Sequence, residues 1–306
     1  MILTVTLNTA LDVTYRVPRL HPHTSHRVTG VTERPGGKGL NVARVLAALG
    51  HEVTATGFAG GRTGAVVREL LADCPGVSDA LVPSAGTTRR TLAVVDEGSG
   101  DTTQFNEPGP LIASAEWSAF LARYEELVAD ARAVALCGSL PPGVPVGAYA
   151  VLVRAARAAG APVLLDTSGE ALRRGVAARP EMIKPNSAEL AELTGSREPL
   201  PATRDARRRG AHAVVTSLGP DGLLAATAQG TWQAAPPCAL SGNPTGAGDS
   251  AVAGLLSALA EGLDWPARLV RAVALSAATV HAPAAGEFDP RTYEEVRGSV
   301  KVTPVD

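Results

Sequence analysis

With 306 residues and 45% hydrophobic content, the chain can bury a large core, either as one big α/β domain or as one with a small appendage. A formal net charge of −2 gives no global pull toward nucleic acid or membrane, so any anionic ligand must be held by local groups. No stretch approaches the roughly 20 apolar residues that span a bilayer, and the start MILTVTLNTALD lacks the basic n-region and full h-region of a secretion signal, which predicts a cytoplasmic protein.

In chain order, Ile2 to Leu7 reads as a short buried strand ending at Asn8-Thr9-Ala10-Leu11-Asp12. Leu11 to Val17 and His26 to Thr32 alternate apolar and polar residues, as half-exposed strands do, and read as a flap. Pro35-Gly36-Gly37-Lys38-Gly39-Leu40-Asn41 then opens a helix with Val42, Val45, Leu46 and Leu49 on one face and a stop at Gly50. Here Lys38 is a candidate phosphate ligand and Asn41 a candidate partner for a polyol. The plain alternative is an ordinary loop-to-helix junction with a solvated lysine. Lys38, Lys184 and Lys301 are the only lysines in a chain that otherwise uses arginine. The first two fall in Gly/Pro/Asn-rich turns, where a compact point charge has a use.

From Val53 onward strands and helices alternate. Val53 to Phe58, Ala133 to Cys137 and Val163 to Asp166 read as strands, and Gly64 to Ala72, Ala115 to Val128, Gly147 to Ala159 and Gly169 to Ala177 as helices. This is the pattern of a parallel sheet covered on both faces. It is interrupted by a hairpin signal, Thr88 to Asp96 and Thr102 to Asn106 across Glu97-Gly98-Ser99-Gly100-Asp101. Paired with the flap strands, it would form a small sheet over an active site, a lid made of about 10–34 and 87–107. Arg89 and Arg90 open the hairpin, and strand neighbours face opposite sides, so only one of them points into the cleft.

Gly138-Ser139-Leu140-Pro141-Pro142-Gly143 follows a strand at the edge where open α/β sheets bind ligands; Ser139 is a candidate substrate contact there, the prolines a stiff turn. Lys184-Pro185-Asn186-Ser187-Ala188-Glu189 opens another helix, ending near Gly195. Asn186 and Glu189 share one face, and their oxygens suit Mg²⁺ held through waters. They equally form a capping box, and both readings can hold together. Strand Ala213 to Ser217 leads to Leu218-Gly219-Pro220-Asp221-Gly222 and hairpin strands Leu223 to Ala226 and Thr231 to Ala234, so Ser217, Gly219 and Gly222 are candidates for a nucleotide pocket, or simply a β-turn.

Asn243 to Leu263, NPTGAGDSAVAGLLSALAEGL, joins a Gly-rich turn to a helix carrying Val252, Leu255, Leu256, Leu259 and Leu263 at helical spacing. Backbone amides of Gly246, Ala247 and Gly248 at a helix start lack intrahelical partners and suit an anion. Asp249, one residue on, is placed to accept a proton from a hydroxyl attacking a held phosphoryl group. The plain alternative is an acid in a helix's first turn, where acids are favoured. The spacing is not that of a P-loop. A helix Pro266 to His281 closes the core, with His281 a packing or surface residue, and Lys301 to Asp306 reads as a frayed tail. Cys74, Cys137 and Cys238 are odd in number and widely spaced, which points to free thiols rather than disulfides or a zinc site.

Taken together, NTALD, PGGKGLNVARVLAALG, TRRT, GSLPPGVP, KPNSAEL, TSLGPDG and PTGAGDSAVAGLL, in this order over nearly the whole chain, resemble the ribokinase-like carbohydrate kinases of phosphofructokinase B type, in the branch of 1-phosphofructokinase and tagatose-6-phosphate kinase. The resemblance implies a three-layer α/β/α fold with a mainly parallel sheet and a small β-sheet lid, and ATP-dependent phosphorylation of a sugar phosphate, with fructose 1-phosphate first, tagatose 6-phosphate and fructose 6-phosphate as alternatives. It implies Asp249 as catalytic base and Gly246, Ala247 and Gly248 as anion hole. Asn186 and Glu189 become a Mg²⁺-associated pair, with Lys184, Asn186, Ser217, Gly219, Gly222 and Ser276 on the nucleotide side. Asp12, Gly36, Gly37, Lys38, Asn41, Arg89 and Ser139 fall on the sugar side. Thr9 and Thr91 depart from the residues this branch often has there, which leaves the sugar open. The helix dipole is expected to keep Asp249 ionised, and the exposed lid edges suggest a homodimer. The rivals are a non-catalytic sugar-phosphate or nucleotide sensor and a dinucleotide-binding oxidoreductase; no GxGxxG follows the first strand to support the latter.

Overall fold

The fold was read from a computed structural model that describes residues 1–237, 242–282 and 284–305. Among these residues an 11-stranded sheet forms the middle layer. An interior strand is β1 (Ile2–Thr6), whose ILTVT run is buried at every position, as a strand with helices on both faces must be. β1 pairs in parallel with β4 (Val53–Ala59) on one side and β9 (Ala133–Cys137) on the other. β10 (Val163–Asp166), β11 (Met182–Ile183) and β12 (Ala213–Ser217) continue the parallel run. β13 (Leu223–Ala226), β14 (Thr231–Ala235) and β15 (Lys301–Pro304) extend it antiparallel. At the other end β5 (Val77–Asp79) and β6 (Val82–Pro83) lie along β4.

Alternate side chains of the strands feed two separate cores. Ile2, Ala133, Ala135 and Cys137 pack with α1 (Lys38–Ala48), α2 (Gly61–Ala72), α8 (Ala247–Ala260), α9 (Trp265–Val280) and α10 (Pro290–Arg297). Leu3, Val5, Val134 and Leu136 pack with α3 (Ser114–Val128), α4 (Ala148–Ala158), α5 (Gly169–Ala177), α6 (Ser187–Thr194) and α7 (Pro199–Arg208). This is the three-layer α/β/α arrangement expected. Cys74 and Cys137 are free thiols; Cys238 lies outside the described residues.

The flap and hairpin strands join in a separate 4-stranded sheet, in the order β3 (Gly30–Gly36), β2 (Ala10–Val17), β7 (Arg89–Asp96), β8 (Thr102–Asn106). The second flap strand was expected at His26 to Thr32, but the pairing Tyr15↔Val31 and Asp12↔Arg34 places it at Gly30–Gly36. The alternation before residue 30 belongs instead to an exposed connection. Pro35 is tolerated in β3 because that strand is an edge.

Two further expectations are corrected. Lys301 to Asp306 is not a frayed tail: Lys301–Pro304 is β15, paired with β14 through Ala235↔Lys301, while Asp306 lies outside the described residues. Leu263 falls beyond α8, which ends at Ala260, because Gly262 adopts a left-handed φ of 73° and turns the chain. His281 lies at the surface, one of the two places expected for it, where it caps α9 with its Nδ1 3.1 Å from Thr292 Oγ1.

Candidate active site

The carboxyl ends of β1, β9, β10, β11 and β12 converge on the start of α8, as the edge rule for open α/β sheets predicts. There Asp249 is buried, 7% exposed, and its Oδ2 accepts a hydrogen bond from Asn41 Nδ2 at 2.9 Å. Asn41 was expected to meet a polyol. Its Nδ2 holds the acid, across 208 residues of sequence, and so fixes the direction in which the free carboxylate oxygen points, while its Oδ1 has no hydrogen-bond partner among the described residues.

Beside Asp249 stand two lysines that share one acid. Asp166, at the end of β10 and 1% exposed, has Lys38 Nζ 3.4 Å from its Oδ2 and Lys184 Nζ 3.5 Å from its Oδ1. The second is an ion pair too long for a hydrogen bond, and Oδ1 has no hydrogen-bond partner among the described residues. Lys38 occupies the first turn of α1, where the helix dipole repels a cation. Asp166 offsets that repulsion: chiefly through this pairing, and further through Asp249, the Lys38 ammonium is held above the usual lysine range despite its burial. Asp166 was read from the sequence only as the last residue of a strand. An acid closing a buried strand at a sheet's carboxyl edge was the available signal.

Burial is also the main influence on Asp249. It pushes the carboxyl up to about 6, with the nearby Asp166 carboxylate adding and Lys38, Asn41 and Lys184 opposing. The helix dipole was expected to keep Asp249 ionised; burial works against it, yet a carboxyl at about 6 remains mostly ionised at neutral pH.

The turn before it is strained in the way a glycine permits. Gly246 has φ 87°, and a Cβ there would lie 2.7 Å from Ala285. The amides of Gly246, Gly248 and Asp249 make no hydrogen bond to a described residue. Ala247 departs from expectation, because its N–H donates to the Pro244 carbonyl at 3.1 Å and closes the turn. Gly248 lies against Lys184, whose Nζ would be 3.7 Å from a Cβ at that position.

This turn opens into a cavity of about 860 Å³ whose lining includes Asn186, Ser217, Gly219, Gly222, Gly248 and Ser276. The volume is that of a small-molecule pocket, and Val273 and Val280 supply an apolar side. Ser217 is tied to the neighbouring loop by Ser217 N–H to the Pro185 carbonyl at 3.0 Å. At the mouth, Asn186 Oδ1 accepts from Glu189 N–H at 2.9 Å and Glu189 Oε2 accepts from Asn186 N–H at 2.8 Å. The capping box is thus complete, and each side chain keeps oxygen lone pairs to offer outward.

The sugar-side candidates gather on the other flank. A Cβ on Gly36 would overlap the Asp12 carboxyl, so only glycine lets that acid lie over the turn. Burial pushes the Asp12 carboxyl up, with Arg89 the main opposing influence. Arg89 turns inward, its Nε donating to the Asn8 carbonyl at 3.1 Å and its Nη1 to Thr91 Oγ1 at 3.3 Å. Arg90 turns outward, paired with Glu107 at 2.9 Å with its side chain 62% exposed. Ser139 Oγ accepts from Asn8 Nδ2 at 3.0 Å. Asn8, which the motif reading did not single out, thereby links Ser139 and Arg89.

A buried carboxyl beside free amides at a helix start, opening into a nucleotide-sized cavity on a three-layer α/β/α fold, is the setting of a phosphotransferase with an alcohol acceptor. Residues 3–291 match the pfkB family of carbohydrate kinases, and the chain belongs to that family, whose kinase chemistry implies ATP. A 1-phosphofructokinase of Rhodobacter capsulatus is 40% identical over 284 residues, covering 90% of each chain. A structure described as a possible 1-phosphofructokinase of Thermotoga maritima superposes with a TM-score of 0.91 at 26% identity, covering 100% of both chains. Phosphofructokinase-2 of Escherichia coli, in complex with potassium, gives a TM-score of 0.90 at 33% identity over 97% of this chain and 98% of that one, and the same enzyme has been solved as a tetrameric inhibited form.

Proposed function

We propose that the chain transfers the γ-phosphoryl group of ATP to a hydroxyl of a phosphorylated ketohexose, fructose 1-phosphate before tagatose 6-phosphate or fructose 6-phosphate. The observation that carries this reading is the Asp249 carboxyl, buried between the free amides of the anion turn and the Lys38–Asp166–Lys184 group. The similarity to the Rhodobacter 1-phosphofructokinase favours fructose 1-phosphate.

In this reading ATP lies in the cavity bounded by Ser217, Gly219, Gly222 and Ser276, with its terminal phosphate on the amides of Gly246 and Gly248. Lys38 and Lys184 flank that phosphate with fixed positive charge, which is the main catalytic need of a loose transition state. Asp12, Asn8, Ser139 and Arg89 hold the sugar phosphate, the last by its guanidinium. Asp249 accepts the hydroxyl proton as transfer proceeds, and Asn41 keeps the accepting oxygen aimed. Asn186 and Glu189 fit a magnesium ion that keeps several of its waters, as oxygen donors with spare lone pairs at the cavity mouth do; such an ion neutralises phosphate charge when bound. The small sheet acts as a lid that excludes water as a competing acceptor. Val31 and Phe105, 60% and 59% exposed on its two edge strands, support a homodimer through that lid.

An ATP-coupled assay across the three ketohexose phosphates and unphosphorylated hexoses tests the reading, with Asp249→Asn as control. Turnover of a phosphorylated ketohexose is expected, with a loss of roughly 10²-fold or more in the variant, the lower range for a positioned base. Preference for plain hexoses would remove Arg89 from the sugar-phosphate role. Binding of both ligands without turnover would make the chain a sensor.

A further inference from the structure

Glu287 lies outside every part of the site described above. One of its oxygens, Oε1, accepts from Arg34 Nε at 2.8 Å and from Arg44 Nη2 at 2.7 Å. That single atom joins β3 of the small sheet, helix α1 and the segment between α9 and α10. Arg44 Nη1 also donates to the Ala285 carbonyl at 3.1 Å. The side chains of Arg34, Arg44 and Glu287 are 25%, 11% and 31% exposed, so salt screens the group less than a surface pair. A carboxylate shared by two guanidinia forms charge-assisted bonds that depend on each other.

Each end of this group reaches one of the two ligand sides. Toward the nucleotide, Ala285 backs the anion turn, as its closeness to Gly246 shows, and a Cβ on Gly286 would lie 3.1 Å from Asn41 Oδ1. Asn41 is the residue that holds Asp249. Toward the sugar, Arg34 stands opposite Asp12 in the β2–β3 register, and both line a cleft of about 240 Å³ beneath the small sheet, with Thr91 and Thr245. Arg34 can therefore meet Glu287 only while β3 is seated against the main layer.

We propose that Glu287 is a positioning residue that ties the sugar-facing end of the lid to the wall behind the anion turn, so that sugar phosphate and ATP each strengthen the other's binding. This rests on the kinase reading above. A sugar phosphate that seats β3 brings Arg34 to Glu287 and steadies the 285–287 wall. The anion turn is then set before ATP arrives. By linkage the effect is reciprocal: a phosphate on the turn favours the seated lid by the same factor.

Isothermal titration tests this without turnover. Fructose 1-phosphate is titrated with and without a non-hydrolysable ATP analogue and Mg²⁺, and the analogue with and without fructose 1-phosphate. The proteins are wild type, Glu287→Gln, Arg34→Gln and the double variant. In wild type each ligand should tighten the other by about 5- to 150-fold, equally in both orders, the usual span of such coupling. Each single variant should bring that factor to within about twofold of unity, and the double variant should go no further, because both changes cut one connection.

A purely structural role for Glu287 would lower melting temperature or weaken both separate affinities while leaving the coupling factor intact. Coupling of wild-type size in either folded single variant would overturn the proposal. So would a wild type that binds both ligands independently, which leaves the kinase reading standing. A wild type that binds neither ligand sinks the kinase reading itself, and this proposal with it. Should Glu287→Gln fail to fold, Arg34→Gln decides, since it leaves the Arg44 pair in place.

Discussion

Asp249, the proposed base, has its proton affinity set by a contest between burial and its neighbours. A carboxyl raised to about 6 is still mostly ionised at neutral pH and closer to the operating pH than an ordinary aspartate, which suits proton acceptance. Only the ionised form accepts the proton, so kcat/KM should fall as pH drops through about 6. Two substitutions should move that limb in opposite directions. Asn41→Ala removes a hydrogen bond to the charged form and should shift it to higher pH; Asp166→Asn removes a neighbouring negative charge and should shift it lower. A pH–rate profile that stays put in both variants would take Asp249 out of its role. The groups involved sit on different elements, which explains what could and could not be read in advance. GAGD and PGGKGLN mark their own turns by glycine and helix-start chemistry, but nothing local says that Asn41 would spend its amide on Asp249. Nor does an acid at the end of VLLD show that it will bind two lysines.

Among the elements, the start of α8 has little freedom. Gly246 combines a left-handed backbone with contact against Ala285, so Gly246→Ala should destabilise the fold by about 1–3 kcal/mol, the range for a strained non-glycine residue. Denaturant melting reads the loss, and nucleotide affinity should fall with it because the amides leave their places. A variant with unchanged stability and affinity would show that the turn tolerates a side chain. Long, regular segments were legible: β9, β10, β12 and α5 lie where periodicity put them. The segments that were not legible share physical reasons. β5 and β6 are 3 and 2 residues long, too short to show a period. α7, PLPATRDARR, carries two prolines and a run of charge, and it is a helix because Ala202 and Ala206 are buried against the sheet. β15 has no apolar alternation and takes its conformation from β14; tertiary pairing decides such segments, not local preference.

At the scale of the molecule, the small sheet carries apolar side chains on both of its edges, and these belong in an interface if the lid pairs with a second copy. Val31→Glu together with Phe105→Glu should convert the dimer to monomer in light scattering and raise the KM for the sugar phosphate more than that for ATP. A monomeric wild type, or a dimer that survives both changes, would place any interface elsewhere.

The interior position of β1, flanked on both sides, has a bearing on how the chain reaches this state. Its register partners include Val53 on one side and Ala133 on the other, so this strand waits for a neighbour more than a hundred positions behind it in synthesis. A parallel sheet assembled from such distant pairs closes its loops at high entropic cost and therefore slowly. During translation the ILTVT segment, built of apolar and β-branched residues that end up buried, stands with one side unmatched, a sticky ribbon until its second companion emerges. Yield in a heterologous host should thus depend on chaperone supply and growth temperature more than on the finished enzyme's thermal resistance.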